Sequence, residues 1–221
     1  MTTTTKPDRD CPLCPRLVAY RRELRERRPQ WHNAPVPDFG RADARLLIVG
    51  LAPGAAGANR TGRPFTGDEA GKLFYSTLAE FGFSRGVYEA RPDDGLELAD
   101  CLVANAVRCV PPQNKPLAVE IATCRRFLVS SLENLPRLRC VVALGRIAHD
   151  SILRALSQKT SVFPFAHGRE HVFVAETLGR EVALIDSYHC SRLNTNTGAL
   201  TPEMFRAVFA RARALLDGGS D

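Results

Sequence analysis

Apolar and polar positions alternate between two periods along this chain, and their order predicts an α/β protein. Leu46 to Leu51, Leu98 to Val107 and Cys140 to Leu144 are dense apolar runs of strand length. His171 to Ala175 and Val182 to Asp186 alternate or run apolar and predict two more strands. Between them lie segments of helical period. Glu69 to Phe81 sets Leu73, Phe74, Thr77, Leu78 and Phe81 along one side, and Arg16 to Arg28, Leu117 to Leu135 and Arg146 to Leu156 are helical. Thr201 starts a last helix, with Pro202 and Glu203 in its first turn. Strands alternating with helices imply a parallel sheet covered on both faces. Residues 1–10 are polar and predict a disordered tail, leaving 11–221 as one domain. Residues 29–45 predict a surface loop, and 82–97 a charged connection with no clear period.

The longest interruption of this pattern is Gly50 to Asp68, GLAPGAAGANRTGRPFTGD, between the first strand and the helix at 69. Its five glycines let the backbone approach a ligand closely, while Pro53 and Pro64 stiffen it. Loops at 108–116 and 187–200 also leave strand carboxyl ends, so all three should meet at one sheet edge, where open α/β sheets bind ligands. Two phosphate-loop readings fail. The glycines at 50, 54 and 57 do not space as a dinucleotide fingerprint, and Thr66 and Leu73 occupy the positions where a P-loop needs Gly and Ser or Thr.

Charge and cysteines narrow the class. With 30 Lys and Arg against 24 Asp and Glu, the chain carries +6, which favours an acidic partner such as nucleic acid. The start MTTTTKPDRD has no apolar signal region, and no apolar run approaches the roughly 18 residues that span a bilayer. A cytoplasmic protein with reduced thiols is the expectation. Cys11 and Cys14 have the C-x2-C spacing of a metal centre, and Cys109 and Cys124 complete four thiolates suited to zinc or an iron–sulfur cluster. Cys101 and Cys140 lie in strand sequence and read as core; Cys190 reads as a small filler. His189 opens the polar segment HCSRLNTNTGALT, whereas His32, His149, His167 and His171 lack such company and read as structural. Asp68 stands where it could also cap the helix at 69.

The segments GLAPGAAGANRTGRPFTGD, RCVPPQNKP at 108–116, VALGRIAHDSIL at 142–153 and SYHCSRLNTNTGALTPEMF at 187–205 closely resemble the family 5 uracil-DNA glycosylases. The resemblance runs from about Cys11 to the final helix. It implies a three-layer α/β/α fold around a central parallel sheet. It implies a [4Fe–4S] cluster on Cys11, Cys14, Cys109 and Cys124, structural rather than redox-catalytic. It also implies excision of uracil, with hypoxanthine or xanthine as further substrates, by a monomer that works at the nucleoid on DNA containing deaminated bases. Asp68 and His189 would be catalytic, and Phe65 would stack on the flipped base. Gly50, Ala52, Pro53 and Asn105, with Ser191, Leu193 and Asn194, would contact the nucleotide. The sequence departs from the family pattern at Ala56, commonly His; Asn105, commonly small and apolar; Leu193, usually Gln; and Ala199, usually Arg. The alternative from another class is a non-catalytic iron–sulfur DNA-binding protein of the same fold.

Overall fold

In the computed structural model, which describes residues 6–218, the apolar runs become strands buried on both faces. The elements follow in chain order. Helix α1 (Pro15–Arg27) precedes β1 (Phe39–Gly40), β2 (Leu46–Gly50), α2 (Ala58–Thr61) and α3 (Glu69–Glu80). Strands β3 (Ser84–Arg85), β4 (Glu97–Leu98) and β5 (Cys101–Asn105) lead to α4 (Ala118–Glu133), β6 (Cys140–Leu144) and α5 (Arg146–Ala155). The chain then forms β7 (Glu170–Ala175), β8 (Arg180–Ser187), α6 (Arg192–Asn196) and α7 (Pro202–Asp217).

Six strands make one sheet in the order β1-β5-β2-β6-β8-β7. The four central strands are parallel, and each edge strand is antiparallel to its neighbour. Successive side chains of a strand point to opposite faces, and the two faces carry different helices. Leu46, Ile48, Val103 and Val142 pack with Phe74 and Leu78 of α3 and Phe205 and Phe209 of α7. Leu47, Val49, Ala104 and Val141 pack with Leu128 of α4 and Ile152 of α5. Burial on both sides is why these strands carry near-continuous apolar sequence rather than alternation. The result is the three-layer α/β/α arrangement, with the sheet mostly rather than wholly parallel. From β2 the chain moves to β5 on one side and later to β6 on the other, so a topological switch lies at the carboxyl end of β2.

Several local expectations change. Segment 29–45 contains β1, paired with β5, and segment 82–97 contributes β3 and the first residue of β4. The apolar run from Leu98 to Val107 is split, because Asp100 takes a left-handed conformation (φ 56°) before β5 and binds Arg45 through both carboxylate oxygens. The polar loop 187–200 holds the short helix α6. Of the expected tail 1–10, residues 1–5 lie outside the described residues. Residues 6–10 are placed, with Arg25 bound to Asp10 and to the Arg9 carbonyl. No helix among the described residues is long and apolar enough to cross a membrane.

Candidate active site

The carboxyl ends of the parallel strands fall at Gly50, Asn105, Leu144 and Ser187, and an open cleft of about 1000 Å3 lies over them. Ala52, Phe65, Asp68, Asn105, His189 and Ser191 all line it, so residues as far apart in sequence as Ala52 and Ser191 converge there. Gly50 makes the floor possible. It pairs across the sheet with Asn105, and a Cβ on Gly50 would sit 2.5 Å from Asn105 Oδ1 and 2.8 Å from Phe65 Cζ.

Phe65 holds a left-handed backbone (φ 51°) that a non-glycine residue rarely adopts. The neighbouring carbonyls are tied down: Tyr75 Oη donates to Pro64 O at 2.6 Å and Tyr88 Oη to Phe65 O at 3.1 Å. Buried Arg63 packs against the rings of Tyr75 and Tyr88 and forks onto Asp94 at 2.7 Å. Phe65 stacks on Phe74 with centroids 4.2 Å apart, so the core backs the ring and fixes its plane. The His189 ring lies 5.8 Å away, tilted by 30°.

Asp68 occupies the position before α3, yet its side chain makes no capping hydrogen bond. Oδ1 is buried without a partner, and Oδ2 turns toward Gly57, where a Cβ would lie 2.2 Å away. Burial raises the carboxyl pKa; the Gly71 and Ala70 amides pull it the other way without overcoming that effect. Oδ1 is therefore available to a ligand, while the amides of the first turn of α3 act on the same carboxylate. His189 complements it. Burial pushes its pKa down to about 4, so the ring is neutral near pH 7. Nδ1 is buried and unpartnered, while Asn194 Nδ2 donates to the His189 carbonyl at 2.8 Å.

The expected contact residues thus separate. Asn105, 4% exposed, and Ala52 face the cleft. Pro53 is buried beside it, and the Asn194 side chain holds His189 from behind. Leu193 stands on α6 at the rim, 73% exposed. Lining residues that the sequence did not single out include Asn114, with φ 57°, Arg146, Ile147 and Arg192. The signal for Arg146 and Ile147 was their place just past the end of β6, and for Asn114 and Arg192 their place in the loops 108–116 and 187–200. Sequence reasoning also read His149 and His171 as isolated. Both bind buried Asp186, His149 Nδ1 at 2.6 Å and His171 Nε2 at 3.3 Å, and His149 Nε2 meets Phe163 O at 2.8 Å. Burial lowers the His149 pKa, but the Asp186 hydrogen bond and charge outweigh it and raise it overall. This knot fixes β8 three residues before His189.

A second, much smaller cavity, walled by Leu13, Leu17 and Phe127, gathers Cys11, Cys14, Cys109 and Cys124. Pairing between the segments after β2 and β5 leads to it: Ala106 N donates to Gly50 O and Val107 N to Leu51 O. Among the described residues, only His149, His171 and Asp186 bring three metal-binding atoms within 4.8 Å of one another. Thiolates sharing one zinc at about 2.3 Å lie only ~3.8 Å apart, so the four sulfurs suit a larger thiolate-bound group. Arg21 supports the same fit. It is 2% exposed and Nε has no partner, whereas Nη1 lies 3.5 Å from Cys109 Sγ and Nη2 donates to Cys11 O at 3.0 Å.

A model of the uracil DNA glycosylase superfamily matches residues 37–213. The chain is 46% identical over 211 residues to a type-5 uracil-DNA glycosylase of Thermus thermophilus, covering 93% of each chain. It is 41% identical over 209 residues to a type-5 uracil-DNA glycosylase of Pyrobaculum aerophilum, covering 93% of this chain and 88% of that one. Similarity extends to a type-4 uracil-DNA glycosylase of Archaeoglobus fulgidus, at 32% identity over 155 residues, 70% of this chain and 69% of that one.

Proposed function

The chain belongs to the uracil DNA glycosylase superfamily, and from that premise we propose that it excises uracil from DNA by hydrolysing the N-glycosidic bond. The observation that carries this reading is an unpartnered carboxylate of raised pKa, Asp68, sharing one cleft with a neutral imidazole, His189. Reaching a base inside a duplex requires flipping it out of the stack. The plane of Phe65, fixed against Phe74, suits stacking on the extruded base. Asn105 offers an amide that matches the N3–H and O4 of uracil.

Cleavage builds positive charge on the sugar and negative charge on the departing base. Asp68 stabilises the first and orients the attacking water. His189, neutral and therefore able to donate one N–H, hydrogen-bonds the base oxygen as charge gathers there; preorganised donors of this kind typically contribute ~3 kcal/mol. Ser191 and the rim of α6 would hold the strand on either side, with Leu193 entering the gap left by the base. Cys11, Cys14, Cys109 and Cys124 would hold a [4Fe–4S] cluster. That group supplies a tie between the N-terminal segment and the loop after β5, and no step of the hydrolysis. Hypoxanthine and xanthine would be weaker substrates, because Asn105 fits the pyrimidine edge. The working form would be a cytoplasmic monomer acting on the nucleoid.

The test is excision from oligonucleotides bearing a single uracil, read as alkali-sensitive strands under single-turnover conditions. Wild type should cleave. Asp68→Asn and His189→Ala should bind the same DNA but cleave it at least about a hundredfold more slowly. A wild type inactive on uracil in both single and double strands, with DNA binding intact, would favour a non-catalytic DNA-binding protein.

A further inference from the structure

Among the described residues three arginines are buried: Arg21, Arg63 and Arg108, at 2%, 5% and 3% exposure. Two follow the usual rule that a buried charge is paired. Arg63 forks onto Asp94, and Arg108 binds Asp38. Arg21 is the exception. Arg16, Arg25 and Arg27 of α1 also have carboxylates, Glu120, Asp10 and Glu23 in turn. The contacts of Arg21 are instead a sulfur and a carbonyl of two of the four cavity cysteines, Cys109 and Cys11, and its Nε is left without a partner. Asp10, whose field reaches Arg21, is committed to Arg25, and a cation removed from water without an ion-pair partner is strongly unfavourable.

We propose that the missing counter-charge is the iron–sulfur cluster itself, and that Arg21 is the positioning residue that neutralises it and sets its potential. The inference rests on the cluster reading given above. A cubane held by four thiolates carries net negative charge in its ordinary oxidation states, so it supplies what Arg21 lacks. Arg21 follows Cys14 by seven residues, two helical turns, which aligns it along α1 with the cysteine at the start of that helix. A second N–H supports the opposite side, where the Arg108 backbone donates to Cys124 Sγ at 3.3 Å. Hydrogen bonds to ligand sulfurs and nearby positive charge stabilise the more reduced, more negative state and raise the reduction potential. Arg21 would therefore hold the cluster in one oxidation state while pinning α1 over it.

Two variants of the full-length protein, purified anaerobically, test this against a purely mechanical role. Iron per chain and the cluster's midpoint potential, from an EPR-monitored redox titration, are the readouts. Arg21→Gln keeps hydrogen bonding but removes charge. It should shift the midpoint to more negative potential, with the reduced-to-oxidised ratio at fixed potential falling about tenfold, or ~59 mV for one electron. Arg21→Lys keeps the charge and should stay near wild type in both readouts. If Arg21→Gln instead loses its iron, retention of iron and potential by Arg21→Lys still supports the charge role. Equal iron loss in both variants overturns it, as does an iron-loaded Arg21→Gln with the wild-type potential. Wild type that contains no iron refutes the cluster reading and this inference together, whereas an iron-loaded wild type with an unmoved Arg21→Gln refutes this inference alone.

Discussion

Gly57→Ala offers a test of Asp68 that leaves Asp68 itself intact. The carboxylate reaches its position only because residue 57 has no side chain. A Cβ there would lie 2.2 Å from Oδ2, 2.8 Å from Cγ and 3.1 Å from Cβ of Asp68. Relief requires Oδ2 to retreat by about 1 Å. A displacement of that size at a reacting group costs about a hundredfold in rate, or ~2.7 kcal/mol of barrier. Gly54→Ala is the graded control, because its added Cβ would meet the same oxygen at 3.2 Å, where a few tenths of an ångström suffice. Single-turnover excision of uracil with enzyme in excess should therefore rank wild type just above Gly54→Ala and both far above Gly57→Ala. DNA affinity by fluorescence anisotropy, with thermal melting, separates this from lost binding or folding. A Gly57→Ala protein that melts as wild type and cleaves within twofold of it would refute the reasoning, because the position of Oδ2 would then not matter.

Other expected outcomes follow from the same geometry. Leu193→Ala should slow excision from duplex DNA about tenfold more than from single strands, since an apolar rim residue 73% exposed has a role only where a stack must be held open; equal slowing would contradict the wedge. Asn105→Ala should reduce the preference for uracil over hypoxanthine about tenfold or more, because an unmatched buried polar group costs ~1–3 kcal/mol; equal loss on both bases would make Asn105 scaffolding. Asp68→Asn should melt higher than wild type near pH 7 while losing activity. Burial raises the Asp68 pKa, so its ionised form weakens the fold above the unfolded value and that cost fades as pH falls through the folded pKa. The melting gain should therefore shrink as pH is lowered toward about 4, and a gain independent of pH would argue against a buried charge.

Much of this was legible in one dimension. Strands buried on both faces must be apolar throughout, so Leu46–Gly50 and Cys140–Leu144 stand out as runs, and the helices between them keep a 3.6-residue period. Loops at strand carboxyl ends carry the polar and glycine-rich sequence, so Phe65, Asp68, Asn105 and His189 could be gathered before their geometry was known. What stayed hidden depends on partners distant in sequence. Strand β1 is two residues held by β5 rather than by its own propensity. His149 and His171 look isolated until β7 and β8 pair and bring both to Asp186. Asn194 reads as a substrate contact until α6 turns its amide back onto His189. The order of layers and the chemistry available at one sheet edge were already written in one dimension, because local period and backbone freedom are properties of short segments. Folding in three dimensions alone decided that Gly57 opens the space for Asp68, that Asp68 Oδ1 is buried without a partner, and that Arg21 is buried against cysteines instead of a carboxylate. Those are facts of distance and desolvation between segments, and no period along the chain encodes them.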